Sequence, residues 1–229
     1  MQYKAVIFDL FETLITEWGH KKYTKNELCA DLNVSREDFD IYWNEKALDQ
    51  YLGTITFRES IQYVCEKCGR TISPAQMDAI TTKRIQTKSD CFNYILPEVF
   101  DLLEQIKVMG LKTAIVSNCS SEEVEVLRES KLCDYFDEII LSYEVHMKKP
   151  DICIYEEAAK KLGVFIHECL FIGDGGSNEL FGAKDAGMKP VQAKWYTNRY
   201  PKKRENIGDF LWAEEPMDVV NIILKQGQP

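Results

Sequence analysis

The feature that most constrains this chain is the segment at residues 4–14, which reads KAVIFDLFETL. Its short apolar run, residues 5–8, contains β-branched and aromatic members, and this composition is typical of a buried central strand. Asp9 follows directly at the carboxyl end of that run. Open α/β sheets place their ligand sites outside the carboxyl ends of strands, so Asp9 is a candidate functional residue. A lone aspartate here is more often a cap of the following turn, so the later strands decide between the two interpretations.

The composition predicts a soluble globular protein. The chain has 229 residues, of which 45% are hydrophobic and 28% charged, which suffices for a core domain with a smaller insert. A formal net charge of −9 at pH 7 argues against nucleic acid as the main partner. There is no apolar run of bilayer-spanning length and no leader before the first strand. We therefore predict a cytoplasmic protein that acts on a small molecule and does not bind a membrane.

Residues 16–93 lack strand-like runs and carry four helix-start signals. Three have the capping-box form, in which Ser or Thr precedes Glu or Gln by three positions: Thr24–Glu27, Thr56–Glu59 and Ser73–Gln76. Ser35 is a further N-cap candidate. Apolar residues such as Phe39 and Tyr42 recur at helical spacing. The pattern predicts an inserted bundle of about four helices.

From Leu96 onward, helical and strand patterns alternate. The predicted strands cover residues 112–116, 138–141, 169–172, 189–193 and 210–213, and the predicted helices cover residues 97–109, 121–130, 152–162, 180–186 and 217–224. Such alternation is typical of a parallel sheet with helices on both faces. We therefore predict an α/β core formed by residues 1–15 and 94–229, interrupted by a helical domain at residues 16–93.

Polar residues follow four of the predicted strands. In chain order, the groups are Asp9 with Thr13, Ser117 with Asn118, Lys149 before Pro150 and Asp151, and Gly173 with Asp174 followed by Glu179. Each group alone is typical of a turn or a cap. Four such groups in one parallel sheet indicate a shared site at the edge where the strands end.

The order and spacing of these motifs resemble those of the haloacid dehalogenase (HAD) superfamily of hydrolases over nearly the whole chain. The resemblance implies a Rossmann-like core, and the helical insert resembles the C1-type cap of that superfamily. It also implies that Asp9 is the nucleophile, which attacks phosphorus and forms an aspartyl-phosphate that water then hydrolyses.

The same resemblance implies Mg²⁺ as the cofactor, since this ion prefers carboxylates, backbone oxygens and substrate phosphate as ligands. Asp9, the backbone carbonyl of Phe11 and Asp174 match the metal ligands of the family. Glu179 matches a second acid that binds the ion or holds one of its waters.

The remaining motif residues match groups that bind the phosphoryl group. Ser117 and the backbone amide of Asn118 match the donors to the transferring phosphoryl oxygens. Lys149 matches the cation that balances the charge of nucleophile and phosphate, so that Asp9, Ser117 and Lys149 form the expected catalytic set.

Phe11 departs from the pattern of the phosphatases in this superfamily. Their residue two positions after the nucleophile is usually a second Asp, which protonates the leaving alcohol and then activates water. A phenyl ring cannot transfer a proton. General acid–base catalysis typically raises the reaction rate by about 10²–10⁴-fold, and this contribution is missing unless another group supplies it. Glu12 is adjacent and ionisable, but a neighbouring residue need not point toward Asp9.

Three functions are compatible with this pattern. Haloacid dehalogenases have an aromatic Tyr in place of the second Asp, because a leaving halide needs no proton. Those enzymes work without metal and lack the Gly–Asp pair, whereas this chain retains Gly173 and Asp174 and adds Glu179. A cluster of acidic side chains facing Asp9 is costly unless a cation neutralises it. We therefore predict a Mg²⁺-dependent phosphatase that acts on a small phosphorylated metabolite. The alternatives are a 2-haloacid dehalogenase-like hydrolase and a weakly active or inactive protein that binds Mg²⁺ and a phosphorylated ligand.

Overall fold

A six-stranded parallel sheet forms the centre of the protein. The computed structural model describes residues 3–200 and 207–226. The strands are β1 (Ala5–Phe8), β2 (Lys112–Ser117), β3 (Glu138–Leu141), β4 (Cys169–Gly173), β5 (Lys189–Ala193) and β6 (Leu211–Ala213). Their order is β3-β2-β1-β4-β5-β6, and every neighbouring pair is parallel. The predicted Rossmann-like α/β fold is confirmed, with β1 between β2 and β4.

Helices flank this sheet and fill the insert after β1. The described residues contain α1 (Lys25–Leu32), α2 (Arg36–Glu45), α3 (Ala47–Tyr51), α4 (Phe57–Lys67), α5 (Pro74–Asp90), α6 (Pro97–Val108), α7 (Ser121–Arg128), α8 (Ser142–Val145), α9 (Ile152–Leu162), α10 (Glu179–Ala186), α11 (Trp195–Arg199) and α12 (Asp218–Gln226). None of them combines the length and the apolar composition needed to span a bilayer.

The continuous apolar run of β1 is explained by burial on both faces of the sheet. Val6 and Phe8 belong to a hydrophobic cluster that includes residues of α6, α7 and α12. Ala5 and Ile7 face the opposite cluster, which includes residues of α9 and α10. Because side chains alternate between the two faces of a strand, a strand covered on both faces needs apolar residues at every position.

The insert has its own hydrophobic cluster, in which Phe39, Ile61 and Val64 are fully buried. The predicted N-caps are present at the starts of α1, α2, α4 and α5, and three of them form complete capping boxes. The insert has five helices rather than about four, since α2 ends at Glu45 and α3 begins at Ala47. The C1 type of this cap and the domain boundaries at residues 15 and 93 stay predictions.

Helix α11 is absent from the sequence prediction, and it anchors the segment after β1. The indole Nε1 of Trp195 donates a hydrogen bond to the Thr13 carbonyl oxygen at 2.8 Å. The Tyr196 hydroxyl donates to the Leu14 carbonyl oxygen at 3.1 Å. Both aromatic side chains are fully buried, so α11 fixes the turn that carries Asp9 toward the sheet edge.

Candidate active site

The strand ends bring the predicted residues together. Asp9 follows β1, Ser117 ends β2 and Asp174 follows β4, and these three strands are neighbours. The backbone amide of Asp9 donates to the Ile172 carbonyl oxygen at 2.8 Å, which continues the ladder into the site. A cavity of about 230 Å³ lies there, and all seven predicted site residues line it: Asp9, Phe11, Ser117, Asn118, Lys149, Asp174 and Glu179. Their roles stay predictions.

Lys149 is the buried cation of this site. Its ammonium group binds Asp9 Oδ1 and lies 2.5 Å from Glu179 Oε2, and the residue is 2% exposed. Burial alone would lower the pKa of Lys149, but the charges of Asp9 and Glu179 raise it above its usual value. Lys149 is therefore held as an ammonium ion between two carboxylates.

The side chain of Asn118 holds Lys149 in place, a role that the sequence did not indicate. Its Oδ1 accepts a hydrogen bond from the Lys149 backbone amide at 2.8 Å, and its Nδ2 donates to the Lys149 carbonyl oxygen at 2.9 Å. This double contact joins the end of β2 to the loop that precedes α9. Asn118 thus positions the cation as well as lining the cavity.

The turn from β4 into α10 places Glu179 in the site. Gly175, Ser177 and Asn178 have positive φ angles of 98°, 53° and 55°, a conformation that costs energy for residues other than glycine. The turn allows Glu179 Oε1 to accept from the Gly175 amide at 3.1 Å, while Tyr155 donates to the Glu179 carbonyl oxygen at 2.9 Å. Burial and the nearby charge of Asp9 raise the pKa of Glu179.

The carboxylates of Asp9, Asp174 and Glu179 form a buried acidic cluster. One carboxylate oxygen of each residue lies within 4.8 Å of the others, and all three residues are buried. Lys149 supplies one positive charge that binds Asp9 and Glu179, and the three carboxylates repel one another at this short distance. Buried charges are costly unless they are paired or bind a metal. This donor set fits a divalent cation that prefers oxygen ligands, such as Mg²⁺.

The hydroxyl of Ser117 is suited to bind a ligand oxygen. Ser117 is 1% exposed, and its Oγ has no hydrogen-bond partner within the described residues. A buried polar group without a partner costs about 1–3 kcal/mol. Since Ser117 lines the same cavity as Asp9, an anionic ligand there would satisfy this hydroxyl.

The two residues after Phe11 differ in their relation to Asp9. Thr13 Oγ1 donates to Asp9 Oδ2 at 3.3 Å, so Thr13 helps to orient the candidate nucleophile. Glu12 has a φ angle of 60°, and its carboxylate accepts from the Thr16 hydroxyl at 2.5 Å and from the Glu17 amide at 2.9 Å. Burial raises the pKa of Glu12 to about 7. Glu12 lines the cavity, but both of its carboxylate oxygens are bound within its own turn.

A second group of charges, some buried and some half-buried, lies beside Phe11, and the sequence patterns did not reveal it. We call it the α5–α7 ion cluster, and its members are Glu17, Arg84, Lys88, Glu122 and Glu123. Lys88 lies 2.5 Å from oxygens of both Glu17 and Glu123, and Arg84 contacts Glu122 at 3.0 Å and Glu123 at 3.4 Å.

The α5–α7 ion cluster touches the active site through Phe11. The ammonium of Lys88 lies 4.6 Å from the centroid of the Phe11 ring, a cation–π contact. Lys88 is 5% exposed. Phe11 therefore separates the acidic cluster of the sheet edge from the cations of α5.

Comparison with known proteins identifies the family. Residues 3–187 match the family model of the haloacid dehalogenase-like hydrolases. The match covers most of the chain and agrees with the fold and with the residues at the strand ends. The protein belongs to this family and is a hydrolase of the HAD superfamily, as the motif order predicted.

One relative and two solved structures illustrate the similarity. The chain is 25% identical over 230 residues to a glyceraldehyde 3-phosphate phosphatase of Methanopyrus kandleri, covering 96% of this chain and 97% of the relative. An HAD family enzyme from Bacteroides thetaiotaomicron, solved in complex with magnesium and inorganic phosphate, has a TM-score of 0.57, with 22% identity over 84% of this chain and 94% of that one. A 2-haloacid dehalogenase from Pseudomonas syringae has a TM-score of 0.68, with 18% identity over 99% and 100% of the two chains. Both structures show the fold.

Proposed function

We propose that the protein is a Mg²⁺-dependent phosphatase that acts on a small phosphorylated metabolite. The observation that carries the proposal is the buried cluster of Asp9, Asp174 and Glu179, in which one carboxylate oxygen of each residue lies within 4.8 Å of the others. A divalent cation bound by these residues would balance the cluster. The unpartnered hydroxyl of Ser117 beside them supports an anionic substrate.

The proposed reaction proceeds in two steps. An Asp9 carboxylate oxygen attacks phosphorus, a new O–P bond forms, and the ester O–P bond breaks with its electrons going to the leaving oxygen. Water then attacks the aspartyl-phosphate, which returns the carboxylate and releases inorganic phosphate. Lys149 and Thr13 hold the two oxygens of Asp9, each by one hydrogen bond, so the carboxylate is oriented before the substrate arrives.

Charge stabilisation is divided between protein groups and the metal. The Ser117 hydroxyl and the backbone amide of Asn118 donate to the phosphoryl oxygens, while Lys149 stays protonated beside them. Asp9, Asp174 and the Phe11 carbonyl would hold Mg²⁺, with Glu179 bound directly or through water. The ion would supply positive charge that reduces repulsion between the Asp9 carboxylate and the phosphoryl group.

Phe11 limits proton transfer in this reaction. Its side chain cannot protonate the leaving oxygen, and the carboxylate of Glu12 is occupied by Thr16 and Glu17. The proposed enzyme should therefore favour substrates whose leaving oxygen needs little protonation. Rates across a series of phosphate esters should fall steeply as the pKa of the leaving alcohol rises.

The comparisons support this reaction class. The relative from Methanopyrus kandleri is named for phosphatase activity on glyceraldehyde 3-phosphate. The enzyme from Bacteroides thetaiotaomicron was solved with magnesium and inorganic phosphate. Both favour a phosphatase whose substrate is a small phosphorylated molecule.

A dehalogenase is the second candidate, and Phe11 is the observation that favours it. Halide departs without a proton, so an aromatic residue at this position does not hinder attack of Asp9 on a 2-haloacid. The resulting ester would form on Asp9 in place of the aspartyl-phosphate. The acidic cluster is the feature that this alternative leaves without a purpose.

A panel of substrates separates the candidates. Purified protein is assayed against phosphate monoesters and 2-haloacids, with Mg²⁺ or with a chelator, alongside the Asp9→Asn variant. Phosphate release that requires Mg²⁺ and is abolished in Asp9→Asn supports the phosphatase. Halide release that persists in chelator supports the dehalogenase instead. Binding of Mg²⁺ and phosphate without turnover of either substrate class supports a binding protein.

A further inference from the structure

We propose that Gln50 selects the substrate by donating a hydrogen bond to an oxygen atom on the leaving group of the substrate. This assignment rests on the phosphatase function proposed above. The leaving group would occupy a cavity under the helical insert, and the recognised chemistry is an acceptor oxygen on a short carbon chain. Gln50 is thus a specificity-determining residue rather than part of the chemical step.

A cavity of about 470 Å³ adjoins the catalytic one. Phe11, Glu17 and Asn118 line both cavities, so the two spaces meet at the side of Phe11 that faces the insert. Residues of α2, α3 and α5 form the far wall. A phosphoryl group bound between Asp9 and Ser117 would therefore extend its organic part into this cavity.

Gln50 lines the larger cavity with an unused donor. The residue is 4% exposed, and its Nε2 has no hydrogen-bond partner within residues 3–200 and 207–226. A buried amide donor without a partner is unfavourable in the free protein. Rotation of the terminal amide would bring this donor to a ligand oxygen, which would remove that cost when the ligand binds.

Contacts between α3 and the core fix the position of Gln50 relative to the catalytic cavity. The ring Nδ1 of His146 lies 2.6 Å from the Leu52 carbonyl oxygen, two residues after Gln50. A side chain at Gly53 would place its Cβ 2.0 Å from the Tyr143 carbonyl oxygen, so only glycine allows this approach. The turn after α3 is therefore packed on α8 at the end of β3.

The other walls of the cavity favour a modestly polar ligand. Phe39, Trp43 and Tyr51 supply aromatic surface. The cations of Arg84 and Lys88 already contact carboxylates, so they offer little to a ligand without losing those pairs. Gln50 is then a buried donor of this cavity that has no hydrogen-bond partner among the described residues, and its target is a hydroxyl or carboxylate oxygen.

Binding measurements on a catalytically disabled protein test this assignment. Calorimetric titrations with Mg²⁺ present compare sn-glycerol 3-phosphate, 3-phosphoglycerate and n-propyl phosphate on Asp9→Asn protein. These ligands share a three-carbon chain and differ in the oxygens that it carries. The oxygen-bearing ligand that Gln50 recognises should bind about five- to tenfold more tightly than n-propyl phosphate.

Substitution of Gln50 should remove that preference. In the Asp9→Asn background, Gln50→Leu should bind the recognised ligand and n-propyl phosphate equally, while Gln62→Leu, the same change on the exposed face of α4, should keep the preference. The ligand whose affinity falls identifies the acceptor as hydroxyl or carboxylate. Because no protein hydrogen bond is lost, Gln50→Leu should melt at the same temperature as its parent or higher.

Three results would overturn the assignment. The first is a preference for the oxygen-bearing ligand over n-propyl phosphate that survives Gln50→Leu. The second is equal binding of all three ligands to the Asp9→Asn parent. The third is a fall of several degrees in the melting temperature of Gln50→Leu, which would reveal a structural partner of Gln50. Failure of the phosphatase proposal appears separately, as absence of phosphate release by the wild-type protein while the binding preference persists.

Discussion

Two ion clusters lie near Phe11, and they differ in how their charges balance. In the α5–α7 ion cluster, Arg84 and Lys88 face three carboxylates, each of which contacts at least one of these cations. In the acidic cluster at the sheet edge, oxygens of three buried carboxylates lie within 4.8 Å of one another, and Lys149 binds those of Asp9 and Glu179. With Lys22, which lies 3.8 Å from Glu17, the first cluster has three cations for three carboxylates. The second brings three carboxylates close enough to share one metal ion.

The difference indicates what each cluster does. A cluster whose pairs are complete joins helices: Lys88 on α5 binds Glu123 on α7, so it fixes the insert against the core. A cluster whose carboxylate oxygens converge on one point is typical of a cation site. Removing one cation from either cluster, or replacing Phe11 between them, tests this difference.

Lys149→Met should produce the largest effect. Removal of the ammonium leaves Asp9 and Glu179 without their cation, so phosphate release should fall by about 10²–10³-fold. The free energy of unfolding without Mg²⁺ should fall by about 3–5 kcal/mol. Steady-state rates and urea unfolding measure the two changes. Lys148→Met is the matched control, and a loss of similar size in that variant would contradict the assignment.

Lys88→Met should destabilise the protein by about 3 kcal/mol at pH 7, because Glu123 loses a buried partner. Burial alone would raise the pKa of Glu17, but Lys88 holds it at about 2, below the usual 4.5. Both carboxylates behave this way, since Lys88 and Arg84 also lower the pKa of Glu123. A lowered pKa stabilises the fold above about pH 4.5, and this stabilisation is lost as the pH falls toward 2.

The deficit of Lys88→Met should therefore shrink as the pH falls below 4.5. Urea unfolding at pH 7 and pH 4 measures it, and a deficit that is equal at both values would disagree with the proposed ion pairs. Lys83→Met provides the comparison, because Lys83 pairs with Asp31 at the surface. That exposed pair should contribute less than about 1 kcal/mol at either pH.

Phe11→Asp should raise phosphatase activity by about 100-fold, because it supplies the missing acid and base. The gain should be larger for an alkyl phosphate than for p-nitrophenyl phosphate, whose leaving group needs no proton. Initial rates on both substrates measure it. The control is Phe11→Asn, whose side chain has nearly the same shape as that of Phe11→Asp but cannot transfer a proton. An equal gain in that variant would mean that the phenyl ring obstructs the site and that proton transfer is not limiting.

The elements that the sequence predicted are those set by local patterns. The apolar run of β1 and the capping box of Thr24 and Glu27 each depend on residues close together in the chain. The sequence also predicted that Asp9, Ser117 and Asp174 lie together, because the carboxyl ends of parallel strands meet at one edge of the sheet. Once the strands were recognised, the candidate site was largely determined.

The features that the sequence did not reveal depend on contacts between distant residues. The half-buried Arg84 and the buried Glu122 are 38 positions apart. Charges on a helix face are typical of solvated surface, so the sequence does not indicate that these two residues pair away from solvent. Helix α11 begins at Trp195, and the side chain of the preceding N-cap residue, Lys194, makes no capping hydrogen bond, so the sequence lacks a start signal for this helix. The unpartnered amide of Gln50 is visible only once α3 is packed.

The measurement that tests the central claim most directly is thermal unfolding with and without Mg²⁺. If the acidic cluster binds the ion, Mg²⁺ at about 100 times its Kd should stabilise the wild-type protein by about 2.7 kcal/mol, a rise of about 5–10 °C in melting temperature. Asp174→Asn should lose most of that rise, while Asp185→Asn on the exposed face of α10 should retain it. An unchanged melting temperature in the wild type, or an equal rise in Asp174→Asn, would contradict a metal site formed by Asp9, Asp174 and Glu179.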